Sequence, residues 1–141
     1  MHSSSGYAVT LSDLKGKTII LYFYPKNDTP GCTLEGQDFN RLRAEYADVN
    51  AVVYGVSQDS VTSHCKFRDK YGFEFELLSD ESGKLCGLFD VIKKKNMYGK
   101  KYMGIERSTF VIDEKGKLAK EYRKVSPAGH AEAVLNDIKA M

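Results

Sequence analysis

The apolar and polar positions fall into blocks of two kinds. "TIILYFY" (18–24) is an unbroken run of β-branched, aliphatic and aromatic residues, and "NAVVYGVS" (50–57), mostly apolar, reads as a second buried strand. Runs with apolar residues at both parities suit strands covered on both faces, which is how a central sheet strand reads. Between them "TLEGQDFNRLRAEYADV" (33–49) carries Leu34, Phe39, Leu42 and Tyr46 at roughly helical spacing. "DSVTSHCKFRDKYG" (59–72) reads as a helix, with Asp59 or Ser60 as N-cap and Gly72 as the stop. "FELLSD" (75–80) is a short extended piece and "ESGKLCGLFDV" (81–91) a short helix.

The later chain changes character. "IKKKNMYGKKYMGIE" reads as a polar, basic loop. "RSTFVID" (107–113), the turn "EKGK" and "LAKEYR" (118–123) predict a β-hairpin. "GHAEAVLNDIKAM" (129–141) closes as an amphipathic helix through Ala133, Val134, Ile138 and Met141. Helical crossovers early and a hairpin late predict an α/β fold, a mixed central sheet flanked by helices in a thioredoxin-like arrangement.

Composition narrows the function classes. The 141 residues suit one domain with one core, and no repeat, linker or low-complexity stretch divides them. With 21 basic and 19 acidic residues, the net charge of +2 argues against a nucleic-acid or anionic-membrane partner. The lysine cluster Lys93–Lys95 with Lys100 and Lys101 is short and reads as solvated. No apolar run approaches the ~20 residues of a membrane helix, and the start of the chain has no signal-peptide core. Three cysteines without a secretion signal point to a reducing, cytoplasmic setting. The three histidines make no ligand spacing with them, so no zinc site is expected. No haem or flavin motif is present either, which assigns any redox work to sulfur alone.

That sulfur is Cys32. In "YFYPKNDTPGCTLEG" (22–36), Pro30 and Gly31 form a turn and Cys32 opens the next helix. Free N–H groups and the dipole at a helix N-terminus favour a thiolate over a thiol. The carboxyl end of a central strand is also where sites form in open α/β sheets. Thr29 lies close enough to offer its hydroxyl to the sulfur or to a bound oxygen, and Pro25 ends the strand where it walls one side of the pocket. Glu35 stands in the first helical turn, where a carboxylate is favourable and can orient an arginine. Phe23, Tyr24 and Phe39 read as core, His64 as solvent-facing, and His130 as a helix-start residue.

Pro25, Thr29 and Cys32 match Pro-x-x-x-Thr-x-x-Cys, and the chain around them resembles the PrxQ, or bacterioferritin-comigratory, branch of the peroxiredoxins. "LSDLKGK", "GVSQDSVTSHCKF", "LLSDESGKL", "KNMYGKKYMGIERSTFVID" and "GHAEAVL" extend the resemblance from about residue 10 to the end. It implies a thiol-dependent peroxidase acting on hydrogen peroxide and organic hydroperoxides. Cys32 would be the peroxidatic nucleophile, with Thr29 bonding the peroxide and Pro25 shielding the sulfur. Arg107 of "IERSTFVID" matches the family's arginine, which stabilises charge on the separating oxygens. The resemblance further implies recycling by thioredoxin or a similar dithiol donor, and a monomer.

The chain departs from the branch at Gln37, where many members carry a second cysteine. Cys65 shares a helix face with Val61 and Arg68 and is the candidate resolving thiol; reaching Cys32 would need local unwinding of the first helix. Cys86, among Leu85, Leu88 and Phe89, reads first as a buried small side chain and second as an alternative partner. Direct reduction by an outside thiol stays open. The strand pair that usually precedes "LSDLKGK" is expected to be shortened. Two other functions compete: a disulfide exchanger, which would want a Cys-x-x-Cys pair where residue 35 is Glu, and a peroxide sensor or redox-regulated binding protein using the same Cys32.

Overall fold

The computed structural model describes residues 2–3, 16–97 and 99–141. The stretch expected to hold a shortened strand pair lies mostly outside them. The elements run β1 (His2–Ser3), β2 (Thr18–Phe23), α1 (Pro30–Arg41), α2 (Arg43–Asp48), β3 (Ala51–Ser57), α3 (Val61–Tyr71), β4 (Glu76–Ser79), α4 (Lys84–Leu88), β5 (Ile92–Met97), β6 (Lys100–Ile105), β7 (Ser108–Ile112), β8 (Leu118–Tyr122) and α5 (His130–Lys139). Six of the strands form one mixed sheet in the order β1-β4-β3-β2-β7-β8, and β5 and β6 pair separately. The flanked mixed sheet is the thioredoxin-like arrangement the sequence predicts.

β2 is central because neither of its faces meets water. Ile20, Tyr22 and Tyr24 point into one buried cluster with Cys32 and Phe39 of α1, Tyr46 of α2, Phe67 of α3 and Val134 of α5. Ile19, Leu21 and Phe23 point into a second cluster with Leu85 and Cys86 of α4 and Phe110 of β7. A side-chain period of two therefore places every residue of 19–24 in a core. Each such apolar side chain contributes about 1.5–3 kcal/mol of transfer free energy.

Four departures from the sequence reading have local causes. The helix expected over 33–49 starts at Pro30 with Thr29 as N-cap and breaks at Leu42, whose φ and ψ of −95° and 4° leave the helical range. Leu34 is 39% exposed rather than in the core, because Cys32, Glu35, Gly36 and Phe39 form the buried face of α1. In α5 the inward face is His130, Ala131, Val134, Leu135 and Ile138, so Ala133 and Met141 lie outside it. The stretch read as a basic loop is a regular antiparallel hairpin, Ile92 opposite Ile105 through Met97 opposite Lys100. α3 begins after Ser60, whose hydroxyl accepts from Ser63 N–H, and stops at Gly72, where φ of 66° favours glycine. Among the described residues no helix is long and apolar enough to cross a membrane.

Candidate active site

The register of the sheet builds the site. β2 runs parallel to β3 and antiparallel to β7, with Phe23 opposite Ser108. The residue before Ser108 is Arg107, so it lies beside the end of β2 where the chain leaves for α1. Eight residues after Tyr24 the chain returns at Cys32, in the first turn of α1, only 1% exposed. α1 is held behind it by the stacking of Phe39 on Tyr22, with ring centroids 4.6 Å apart.

Arg107 joins the two elements. Its Nη2 donates to Cys32 Sγ at 3.2 Å and its Nη1 donates to Glu35 Oε1 at 2.7 Å. The guanidinium fork thus spans one helical turn of α1, from the sulfur to the carboxylate three residues on. Burial opposes its charge, but Glu35 and Cys32 outweigh that and hold Arg107 above its ordinary range. Gly31 makes room for the fork: a Cβ there would stand 3.2 Å from Arg107 Nη2 and 3.3 Å from Pro127 Cγ.

Glu35 is fully buried, and because α1 starts at Pro30 it lies beyond the first turn in which the sequence reading placed it. Burial raises its pKa to about 7, against the lowering pull of Arg107. Its Oε2 and the hydroxyl of Tyr22 are buried with no hydrogen-bond partner among the described residues. Behind Arg107, His130 Nε2 pairs with Thr109 Oγ1 at 2.7 Å. Burial, and then the Arg107 charge, bring the His130 pKa down to about 4, so the ring is neutral at pH 7.

The approach loop carries the other two predicted residues. Pro25 follows the last extended residue and is half-buried. Thr29 donates its hydroxyl proton to the Lys26 carbonyl at 3.0 Å. That leaves the Oγ1 lone pairs as acceptors at the head of α1. The structure therefore brings Cys32, Arg107 and Glu35 into direct contact and sets Thr29 and Pro25 on the loop that delivers them.

The other thiols stand apart from this cluster, and no cysteine is bridged. Cys65 is half-buried on α3. Cys86 is fully buried; burial and then Asp80 push its thiol far up, and Asp80 also accepts from the Leu85 and Cys86 N–H groups at 3.1 and 2.7 Å. Cys86 is thus the small core side chain of its first reading. His64, expected in solvent, is wholly buried. Its partners Tyr24, Asn27 and Ser57 come from the residue after β2, the approach loop and β3, so nothing next to it in sequence signals its burial.

A reactive-looking thiol under an arginine is compatible with several chemistries, and the relatives decide among them. The AhpC/TSA family model matches residues 1–121. The chain belongs to the AhpC/TSA family, in the PrxQ branch of the peroxiredoxins. It is 53% identical to Peroxiredoxin Bcp of Xanthomonas campestris over 137 residues, 97% of this chain and 86% of that protein. It is 52% identical to Peroxiredoxin Bcp of Bacillus subtilis over 136 residues, 96% of this chain and 87% of that one. A solved structure of the Xanthomonas campestris bacterioferritin comigratory protein, studied for alkyl peroxide reduction, superposes with a TM-score of 0.95 at 51% identity, over 99% of this chain and 88% of that one. This peroxiredoxin is accordingly a thiol-dependent peroxidase, an oxidoreductase that uses a peroxide and a thiol reductant.

Proposed function

We propose that Cys32 is the peroxidatic nucleophile and that Thr29, Arg107 and Pro25 complete its site. The observation that carries this is the Arg107 fork, with one nitrogen on Cys32 Sγ at 3.2 Å and the other on Glu35 Oε1 at 2.7 Å. The Cys32 thiolate attacks the terminal oxygen of a hydroperoxide. The S–O bond forms as the O–O bond breaks, and the leaving alkoxide or hydroxide takes a proton and departs as alcohol or water. Arg107 faces the oxygens as negative charge moves onto the leaving one. Thr29, with its proton committed to Lys26, accepts from the peroxide O–H. Pro25 screens the sulfur on the strand side. Glu35 holds Arg107 at the angle that serves both contacts.

The product is a Cys32 sulfenic acid, and Cys65 resolves it. The Cys65 thiol attacks Cys32 Sγ, the S–S bond forms, and the hydroxyl leaves as water with one proton. α1 or α3 must move, because Cys32 is buried under Arg107 while Cys65 lies on a separate helix. Thioredoxin or a similar dithiol then reduces the bridge. The substrates are hydrogen peroxide and organic hydroperoxides, the latter in keeping with the alkyl peroxide reduction studied in the Xanthomonas relative. The chain works as a single domain, a monomer, in the cytoplasm.

Mass spectrometry after one equivalent of peroxide tests the reading. Wild type is expected to give a Cys32–Cys65 bridge, and Cys65→Ser a persistent Cys32 sulfenic acid. A Cys32–Cys86 bridge, or a sulfenic acid that persists in wild type, would overturn the assignment of Cys65.

A further inference from the structure

The loop that carries Pro25 and Thr29 is tied to α3 at both ends of that helix. At the near end, Asn27 enters a closed ring of hydrogen bonds. Its Nδ2 lies 3.0 Å from His64 Nδ1, which must accept because an amide nitrogen only donates. The His64 proton is then on Nε2, 3.4 Å from Ser57 Oγ. Ser57 donates to Asp59 Oδ2 at 2.7 Å, and Asp59 Oδ2 accepts the main-chain N–H of Asn27 at 2.9 Å. The ring is consistent in every donor and acceptor, and His64, with its pKa lowered chiefly by burial, is neutral as the ring requires. Tyr24 and Ser63 extend it, Tyr24 donating to Asn27 Oδ1 at 2.5 Å and Asn27 Nδ2 donating to Ser63 Oγ at 3.0 Å.

At the far end, Asp28 accepts from Lys70 Nζ at 2.7 Å and from Tyr71 Oη at 2.6 Å. Asp28 has φ of 60°, a left-handed conformation that costs a non-glycine residue energy and is kept by these contacts. Two consecutive loop residues are therefore fastened to the first and last turns of one helix. Thr29, the next residue, caps α1 and fixes where Cys32 stands.

We propose that Asn27 and His64 are positioning residues, and that the ring they close is a latch between the peroxide-reducing loop and α3. Closed, the latch holds Thr29 and the head of α1 for attack on peroxide. The same helix carries Cys65, so the closed latch opposes the movement that brings Cys65 to the Cys32 sulfenic acid. This second half rests on the reading of Cys65 as the resolving thiol; the first half does not. Opening the latch slows the first reaction and speeds the second. A residue that merely stabilised the fold would not move the two rates in opposite directions.

Quenched-flow with intact-mass detection reads both rates in one reaction. For Asn27→Ala, sulfenic acid formation at Cys32 is expected to fall about tenfold or more, as a displaced catalytic group does. Disulfide formation is expected to rise about fivefold, the scale of one lost hydrogen bond. Lys70→Met with Tyr71→Phe, a pair at the far end of α3, opens the other fastening while keeping the aromatic ring that packs against the core, and is expected to move each rate in the direction Asn27→Ala moves it, by smaller factors. It also decides the question if Asn27→Ala does not fold. Ser60→Ala, which weakens the α3 cap alone, is expected to leave the peroxide step within about twofold. The latch is overturned if both rates fall together, or if the peroxide step is unchanged in Asn27→Ala and in the double variant. If wild type forms no Cys32–Cys65 bridge, the reading of Cys65 has failed, and the peroxide step decides alone. A fall in Asn27→Ala without a fall in Ser60→Ala supports the latch, and equal falls overturn it.

Discussion

Arg107 and Glu35 form a buried ion pair, 2.7 Å between Nη1 and Oε1, whose second nitrogen is left for Cys32. The pair fixes the direction from which cationic charge reaches the sulfur. A lysine in place of the arginine presents one point charge and cannot serve both partners. Arg107→Lys is therefore expected to lower the second-order rate constant with peroxide by about a hundredfold, the scale of losing one preorganised donor to developing negative charge. Stopped-flow with excess peroxide measures it, and a loss under threefold would contradict the role given to the fork.

Gly31→Ala separates activity from stability. The added methyl would sit 3.2 Å from Arg107 Nη2 and 3.3 Å from Pro127 Cγ, close enough to push the guanidinium off by a few tenths of an ångström. Gly31 does not need the left-handed conformation, and alanine favours the helix it begins by up to about 1 kcal/mol. The expected result is a fall of about tenfold in kcat/KM with thermal stability unchanged or slightly higher. Equal activity would mean that Arg107 tolerates displacement.

Two buried groups near the sulfur titrate with opposite effects on stability. The folded protein holds the proton of Glu35 up to about 7, whereas a free glutamate loses it near 4.5. Its contribution to stability is therefore lost as pH rises from 4.5 to 7. His130 is held down at about 4 against an ordinary 6.5, so the unfolded chain binds its proton first. Its contribution is lost as pH falls from 6.5 to 4. Urea unfolding across this range should show Glu35→Gln gaining on wild type by up to roughly 3 kcal/mol as pH rises. His130→Asn should gain on wild type as pH falls. Parallel pH curves for wild type and either variant would contradict the corresponding assignment.

The sequence made the sheet and the placement of Cys32 readable because both depend on local signals. The residues 19–24 are apolar at every position, 51–56 are apolar except for Gly55, and the Pro30-Gly31 turn signal falls where α1 begins. Arg107 was legible through its motif, and the register of Phe23 opposite Ser108 supplies the physical reason it meets Cys32. His64 was not legible. Its burial is satisfied by Tyr24, Asn27 and Ser57, which lie 40, 37 and 7 residues away. The β5–β6 hairpin was missed because "KKKNM" and "KKYM" lack an apolar alternation. The hairpin pairs outside the main sheet, and among the described residues only its outer ends, Ile92 and Ile105, reach the core. Leu34 misled for the opposite reason: it fits a helical stripe, but Cys32 and Glu35 turn α1 so that the charged site faces inward and Leu34 faces water.

One sulfur, that of Cys32, is expected to carry the peroxide chemistry. Peroxide consumption by Cys32→Ser, measured with a dithiol reductant present, tests it most directly. Consumption is expected to fall to the background of the reductant alone while the fold, read by circular dichroism, is retained. Consumption at the wild-type rate would contradict the account.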